Sequence, residues 1–389
     1  MDQVHGLQWE RPGLMGQDGP LDHTDLARTL AERLPAPGHI RDLFATVPRH
    51  RFLPDVVWGE NRVRHDRTTD PDGWLHTAYT DQALITQRDD GVEGGMGLPT
   101  SSSSAPTVMA RMLTAARIEP DHRVLEIGTG TGYNAALLSE LVGARSVTTI
   151  EIDEAVAAAA RSALHAHGVS PTVITGDGEL FGEGFPLYDQ VIATCTVSEV
   201  PAAWVHQVRE GGRIVTPWSP TPGAPGGVLA VLEVTSTRAE GRFEGSLAFM
   251  WARGQRRPGR GVPVDAVADQ VDRVDGDPRE SWLDGELSLL LALLMPHWCH
   301  GMGMEDGAED PYVWIASTTC SSWARLHADG RVEQGGSRRL VDQASRAWEV
   351  WETWNRPEVS DFGLTVDLEK GLQTVWIQGP QHVLWSAHR

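Results

Sequence analysis

Residues 123–133 read RVLEIGTGTGY, and this stretch decides the fold. Residues 124–127 form a short apolar run of strand character, a turn carries Gly128, Gly130 and Gly132, and a helical pattern follows from Ala135. Glycine permits positive φ and close approach of the backbone to a ligand. In the dinucleotide-binding fingerprint the third glycine stands three places after the second. Here it stands two places after, and Glu126 sits two places before the first. This pattern, E-x-G-x-G-x-G, suits a cationic cofactor better than a pyrophosphate. The plain alternative is a strand-to-helix turn that binds nothing, and the residues downstream weigh against it.

A chain of 389 residues is long enough for two or three domains, each with its own core. Its formal net charge of -20 argues against general binding to nucleic acid and permits a partner with basic segments. Cys195, Cys299 and Cys320 are too few for a disulfide framework, which points to a reducing compartment. The first thirty residues lack a basic start followed by an apolar run, and the longest apolar run, 287–295, is far too short to cross a bilayer. The expectation is a soluble cytoplasmic protein with no membrane partner and an oligomeric state that the sequence leaves open.

Taken in order, residues 1–20 read as a loose arm, 24–34 and 39–46 as helices, and 76–87 (HTAYTDQALITQ) as an extended segment. The serines at 101–104 precede Ala105 and Pro106, where a helix is expected to start with serine as a favoured cap; a flexible linker is the less favoured alternative. Strands are expected at 146–150, 172–174, 189–193 and 213–216, with helices at 155–167 and 200–208. This alternation implies a doubly wound, Rossmann-like α/β domain with ligands at the carboxyl ends of its parallel strands. Glu151 ends the second strand, where it can accept hydrogen bonds from both hydroxyls of a ribose, and Asp177, followed by Gly178, ends the third near the place of an adenine. Glycine turn and paired carboxylates together are the habit of S-adenosylmethionine (SAM) methyltransferases.

Several stretches, VLEIGTGTGYNAALL, the acidic end of VTTIEID, TGDG, YDQVIAT and GGRIVTPW, closely resemble the protein-L-isoaspartate O-methyltransferase family. Upstream, VPRHRFLP is similar to that family's VPRExFVP, YTD to its YxD and SSAP to its ISAP or ISQP, in the same order over roughly residues 25–250. The resemblance implies a SAM-dependent carboxyl O-methyltransferase domain over residues 21–255. It places the hydroxyl that meets the substrate carboxylate on Ser104, with Ser102 or Ser103 as substitutes if the register is shifted. Tyr79, Asp81, Ser103, Pro217 and Trp218 fall in the substrate cleft; Glu126, Gly128, Thr129, Gly130, Gly132, Tyr133, Glu151, Ile152, Asp177 and Gly178 fall around the cofactor.

Two departures stand out. The family's short link between YxD and its serine motif, which roofs the substrate cleft, is replaced by ITQRDDGVEGGMGLPTSS. Residues 256–389 continue as an α+β accessory domain rich in tryptophan, with helices expected at 283–295 and 340–354 and strands at 312–318, 363–366 and 374–377. Tryptophans on one helical face usually fill a core; the functional alternative is a surface that grips a precursor peptide. Such extended chains resemble the methyltransferases of graspetide and lanthipeptide systems. That narrower likeness implies methylation of an aspartate in a modified ribosomal peptide, the ester then closing to aspartimide or giving isoaspartate. The alternatives are repair of L-isoaspartyl residues in damaged proteins and, from another class, a non-catalytic SAM-containing peptide binder. HWCH at 297–300 does not have the spacing of a zinc site, so no metal is expected, and Cys195 reads as a packed small residue.

Overall fold

The computed structural model describes residues 22–59, 62–180, 186–221, 227–256, 266–279, 285–305, 307 and 309–388; the expected N-terminal arm lies outside them. Among the described residues the strands form three sheets. Helix α1 (His23–Arg33), capped by Asp22, which accepts the Thr24 N–H at 2.8 Å, leads to α2 (Gly38–Thr46). Strands β1 (Val56–Trp58) and β2 (Arg64–Asp66), helix α3 (Pro71–Ala78), and strands β3 (Leu84–Arg88) and β4 (Pro99–Ser103) follow. The four strands make an antiparallel sheet in the order β2-β1-β3-β4.

This region corrects two expectations. The segment 76–87 is not extended throughout, because α3 runs to Ala78: Asp70 caps it, Pro71 pre-sets its first turn, and Trp74, Thr77 and Ala78 are buried. The serine tract is no linker, since Ser101, Ser102 and Ser103 pair across to Gln87, Ile85 and Leu84. Helix α4 (Pro106–Ala116) starts at the expected proline, but its cap comes from a distance: Asp81 accepts the Thr107 N–H at 2.8 Å and its hydroxyl at 2.6 Å.

The main sheet is built from β5 (Val124–Ile127), α5 (Tyr133–Val142), β6 (Val147–Glu151), α6 (Glu154–His167), β7 (Thr172–Thr175), β8 (Tyr188–Ala193), α7 (Ala202–Gln207) and β9 (Val208–Trp218). Strands β7-β6-β5-β8-β9 lie side by side and parallel, and the order reverses between β5 and β8. That switch point opens a crevice at the carboxyl ends of the strands. β10 (Val228–Thr235) and β11 (Arg238–Ser246) continue the sheet antiparallel beyond β9.

The C-terminal part is organised differently from a simple appended domain. Strand β12 (Gln270–Arg273), helix α8 (Gly285–Leu294), strands β13 (Trp298–Gly303), β14 (Tyr312–Ser317), β15 (Trp323–Leu326) and β16 (Arg331–Gly335), and helix α9 (Leu340–Thr353) surround a five-stranded antiparallel sheet, order β12-β16-β15-β14-β13. Strands β17 (Phe362–Asp367), β18 (Leu372–Ile377) and β19 (Val383–His388) then return to the main sheet, β17 pairing with β11, and make it ten-stranded. The boundary expected at 255/256 therefore separates strands that share one sheet. Helix α8 is apolar on all sides because it is buried on two: Leu289 and Leu293 join the main-sheet core, Leu287, Leu290 and Leu291 the core of the small sheet. Trp298, Trp323, Trp351 and Trp376 are buried, and Trp348 packs edge-on to Trp351 at 5.2 Å, so these rings build cores rather than a gripping surface. No helix of the described residues is long and apolar enough to cross a membrane.

Candidate active site

The glycine turn leaves β5 with Gly128, Gly130 and Gly132 at φ 91, 53 and 85°. A Cβ on Gly128 would lie 2.6 Å from the Thr194 hydroxyl, and one on Gly130 would lie 3.2 Å from the Ser102 carbonyl oxygen. The turn and the serine strand thus face each other closely. Gly132 looks the other way, into α6, where a Cβ would meet Leu164 at 3.2 Å; it lies outside the cavity lining and lets the turn pack closely on that helix.

Around this crevice lies a cavity of about 1000 Å³, including space open to solvent. Its lining gathers Thr129, Gly130, Tyr133, Glu151, Ile152, Asp177 and Gly178 with Ser101, Ser102, Ser103 and Ser104. Glu151 ties the turn to the end of β6: its carboxylate accepts the Gly130 N–H at 2.9 Å and the Asp153 N–H at 3.1 Å. Each oxygen keeps a further lone pair for a ligand hydroxyl. Asp177 accepts the Glu179 N–H at 2.9 Å, and the Trp204 indole N–H holds the Gly178 carbonyl at 2.8 Å.

Glu126 also borders the cavity, but its role is chiefly to brace the turn. It is fully buried and accepts from the Asn134 amide at 2.7 Å and the Thr149 hydroxyl at 2.5 Å. The Thr149 hydroxyl also meets the Thr129 hydroxyl at 2.6 Å, which extends the network to the turn. Burial, helped by Glu151, pushes the Glu126 carboxyl up to about 7 against these two hydrogen bonds. Cys195 borders the same space with its thiol pushed up to about 12 by burial and then by Glu179, Glu151 and Asp177; it stays protonated.

The serine wall is held by a residue that sequence reasoning passed over. Arg49, from VPRHRFLP, is fully buried and donates to the carbonyls of Ala78 (3.1 Å), Thr80 (2.9 Å), Gln82 (2.9 Å), Ser103 (3.2 Å) and Ser104 (3.1 Å), and to the Ser103 hydroxyl (3.2 Å). Burial lowers its guanidinium to about 10, so it remains charged at neutral pH. The three upstream motifs converge on this one cation. Tyr79 and Asp81 lie outside the cavity lining. The Tyr79 hydroxyl and His50 Nδ1 share a hydrogen bond at 2.6 Å, burial keeping that imidazole neutral with a pKa of about 4, and Asp81 caps α4. Both hold elements of the wall in place. Pro217 and Trp218 are likewise absent from the lining: Trp218 is buried, stacks on Phe243 at 5.5 Å and donates to the Ser198 carbonyl at 3.1 Å.

The roof comes from residues 249–256, which nothing in the sequence marked. The Thr196 N–H bonds the Met250 carbonyl at 2.8 Å and the Ala252 N–H bonds the Thr196 carbonyl at 2.9 Å, pinning the segment across the end of β8. It brings Arg253 and Arg256 to the cavity, where Arg253 pairs with Asp90 (3.0 Å) and Asp153 (3.2 Å) and Arg256 with Asp90 (2.9 Å). Asp90 belongs to the β3–β4 hairpin, the stretch that departs from the family pattern. Among the described residues no group of His, Cys, Asp and Glu is arranged to hold a metal ion.

Comparison with known proteins adds to this geometry. The sequence profile of protein-L-isoaspartate(D-aspartate) O-methyltransferase matches residues 25–224. The protein-L-isoaspartate O-methyltransferase of Ignicoccus hospitalis is 34% identical over 206 residues, 50% of this chain and 83% of that protein. The Thermotoga maritima protein of the same name is 33% identical over 181 residues, 46% of this chain and 50% of that protein. The chain thus spans only about half the length of some of its curated relatives. A solved protein-L-isoaspartate O-methyltransferase shares the fold with a TM-score of 0.50 at 20% identity, over 90% of this chain and 97% of that one, a span that residues 1–255 alone could not reach. With its profile matched over just over half of the length, the chain belongs to the protein-L-isoaspartate(D-aspartate) O-methyltransferase family, whose cofactor is S-adenosylmethionine.

Proposed function

We propose that this chain is a SAM-dependent carboxyl O-methyltransferase whose acceptor is an L-isoaspartyl residue of a damaged protein. The observation that carries the reading is the meeting of the glycine turn, Glu151 and Asp177 with the serine wall around one cavity. The lining suits the cofactor: carboxyl groups face a ligand of net positive charge, and the glycines leave the turn bare. When bound, the cofactor supplies an electrophilic methyl group on a sulfonium. The acceptor needs no general base, because a carboxylate of ordinary pKa, about 4, is ionised at neutral pH. The residues therefore act by orientation and exclusion of water. Ser104 holds one carboxylate oxygen through its hydroxyl while the other attacks, and Arg49 fixes the wall that carries it.

A second acceptor, an aspartate in a modified ribosomal peptide whose ester closes to aspartimide or proceeds to isoaspartate, is favoured by one observation. The segment that departs from the family forms the β3–β4 hairpin, tied through Asp90 beside the cavity. The C-terminal extension does not favour it over repair, since a solved enzyme of the family name has the same general fold over most of this chain. The cytoplasm is the proposed location, in keeping with cysteines too few for a disulfide framework. Intact-mass analysis of isoaspartyl, aspartyl and candidate modified peptides, each incubated with protein and SAM, tests the reading. Gain of one methyl on the isoaspartyl peptide supports repair. Methylation of a modified peptide alone, followed by loss of methanol, supports the second acceptor, and SAM binding without transfer to any peptide contradicts both.

A further inference from the structure

The cavity lining carries four carboxyl groups, Glu126, Glu151, Asp177 and Glu179, and its cationic side chains among the described residues are Arg253 and Arg256. This balance attracts a cationic cofactor, but it repels an acceptor that is itself an anion. An anionic acceptor needs local positive charge, and the two arginines are not equally free to give it. Arg256 reaches both oxygens of Asp90 with one nitrogen, at 3.0 and 2.9 Å. Arg253 uses Nη2 for its ion pairs, to Asp90 at 3.0 Å and Asp153 at 3.2 Å, which fixes the guanidinium in place. Its Nε is buried and has no acceptor. A fixed, buried N–H of a charged group with no partner is costly, and a ligand oxygen relieves it.

We propose that Arg253 is a specificity-determining residue that receives the acceptor's carboxylate through Nε–H and so selects an anionic peptide for the cavity. The inference rests on the carboxyl-methyltransferase reading. Asp90, at φ 53° just after β3, and Asp153, the cap of α6, hold the guanidinium in place before the substrate binds. The roof segment then has two purposes: it closes the cavity, and it supplies the charge that the serine wall lacks.

Fluorescence anisotropy with a labelled isoaspartyl peptide and with its carboxamide analogue, both in the presence of S-adenosylhomocysteine, tests this, alongside methyl-transfer assays. The wild type is expected to bind the acid ~10-fold or more tightly than the amide, and Arg253→Gln to lose that preference and raise KM by a similar factor while kcat and S-adenosylhomocysteine affinity change little. Arg253→Lys, which keeps the charge without the Nε–H, should fall between them. Asp90→Asn, whose amide oxygen can still accept from Arg253 and hold its guanidinium in place, should keep the preference for the acid. If Asp90→Asn loses it as fully as Arg253→Gln, the arginine only shapes the hairpin and the proposal is overturned. It is overturned as well if Arg253→Gln weakens S-adenosylhomocysteine and keeps the preference. A wild type that methylates no isoaspartyl peptide removes the underlying reading; a wild type that does so, with a variant that still prefers the acid, removes this inference alone.

Discussion

Replacing Arg49 by methionine tests whether one buried cation holds the substrate side of the cleft. Arg49 gives six hydrogen bonds, and two of the carbonyls it serves, those of Ala78 and Ser103, are buried. The other three are part-buried, where water can replace the lost donor. Each dry carbonyl left without a partner costs about 1–3 kcal/mol, offset in part because the guanidinium no longer has to be desolvated. A net loss of about 3 kcal/mol is expected, a large share of the ~5–15 kcal/mol typical of a folded domain. Urea unfolding followed by tryptophan fluorescence measures the stability, and methyl-transfer kinetics should show a raised KM for peptide as the serine wall loosens. Arg49→Lys should recover about half of the stability, since a point charge with three donors cannot serve six acceptors. A loss below about 1 kcal/mol in Arg49→Met, with peptide KM unchanged, would refute the reasoning.

Three further outcomes are expected. Ser104→Ala should lower kcat roughly tenfold or more while S-adenosylhomocysteine affinity is kept, as calorimetry and kinetics on one preparation would show; equal loss of both contradicts the assigned role. Because burial raises the Glu126 carboxyl to about 7 from 4.5, the folded protein holds a proton that the unfolded chain has released between those values. Its contribution to stability therefore falls as pH rises through that window and is least favourable above 7. Wild type should lose about 3 kcal/mol relative to Glu126→Gln between pH 4.5 and 8 in urea unfolding, and a pH-independent difference would contradict the burial argument. Hydrogen bonds from Ser317 and Ser322 lower the Cys320 thiol to about 7, whereas Cys195 is pushed up to about 12. Iodoacetamide at pH 7 should then alkylate Cys320 well before Cys195, as peptide mapping would report, and the reverse order would be incompatible with these environments.

The glycine turn and the rhythm around it were legible because their signals are local: an apolar run, a residue type that tolerates positive φ, then a 3.6-residue period. Glu151 and Asp177 followed from the rule that ligands gather at strand ends, and both border the cavity. What stayed hidden depends on pairing at a distance. Tyr79 and Asp81 belong to a motif that resembles a functional signature, yet their partners are His50 and Thr107, and their work is to hold elements in place. Arg49 looks like one cation in a loop; only the fold brings carbonyls 29 to 55 positions away into its reach. Phe362–Asp367 reads as a buried strand, but its pairing with Arg238–Ser246 across the small sheet leaves no local trace. Arg253 escaped notice for the same reason: its significance lies in a neighbour on a hairpin far back in the sequence, Asp90.

The central claim is that a sulfonium cofactor lies against the glycine turn beside Glu151 and Asp177. Titration calorimetry of S-adenosylhomocysteine into the folded, full-length chain tests it most directly. Saturable binding at one site per chain, weakened in Glu151→Ala, is the predicted result; no heat of binding, or binding indifferent to that substitution, would contradict the account.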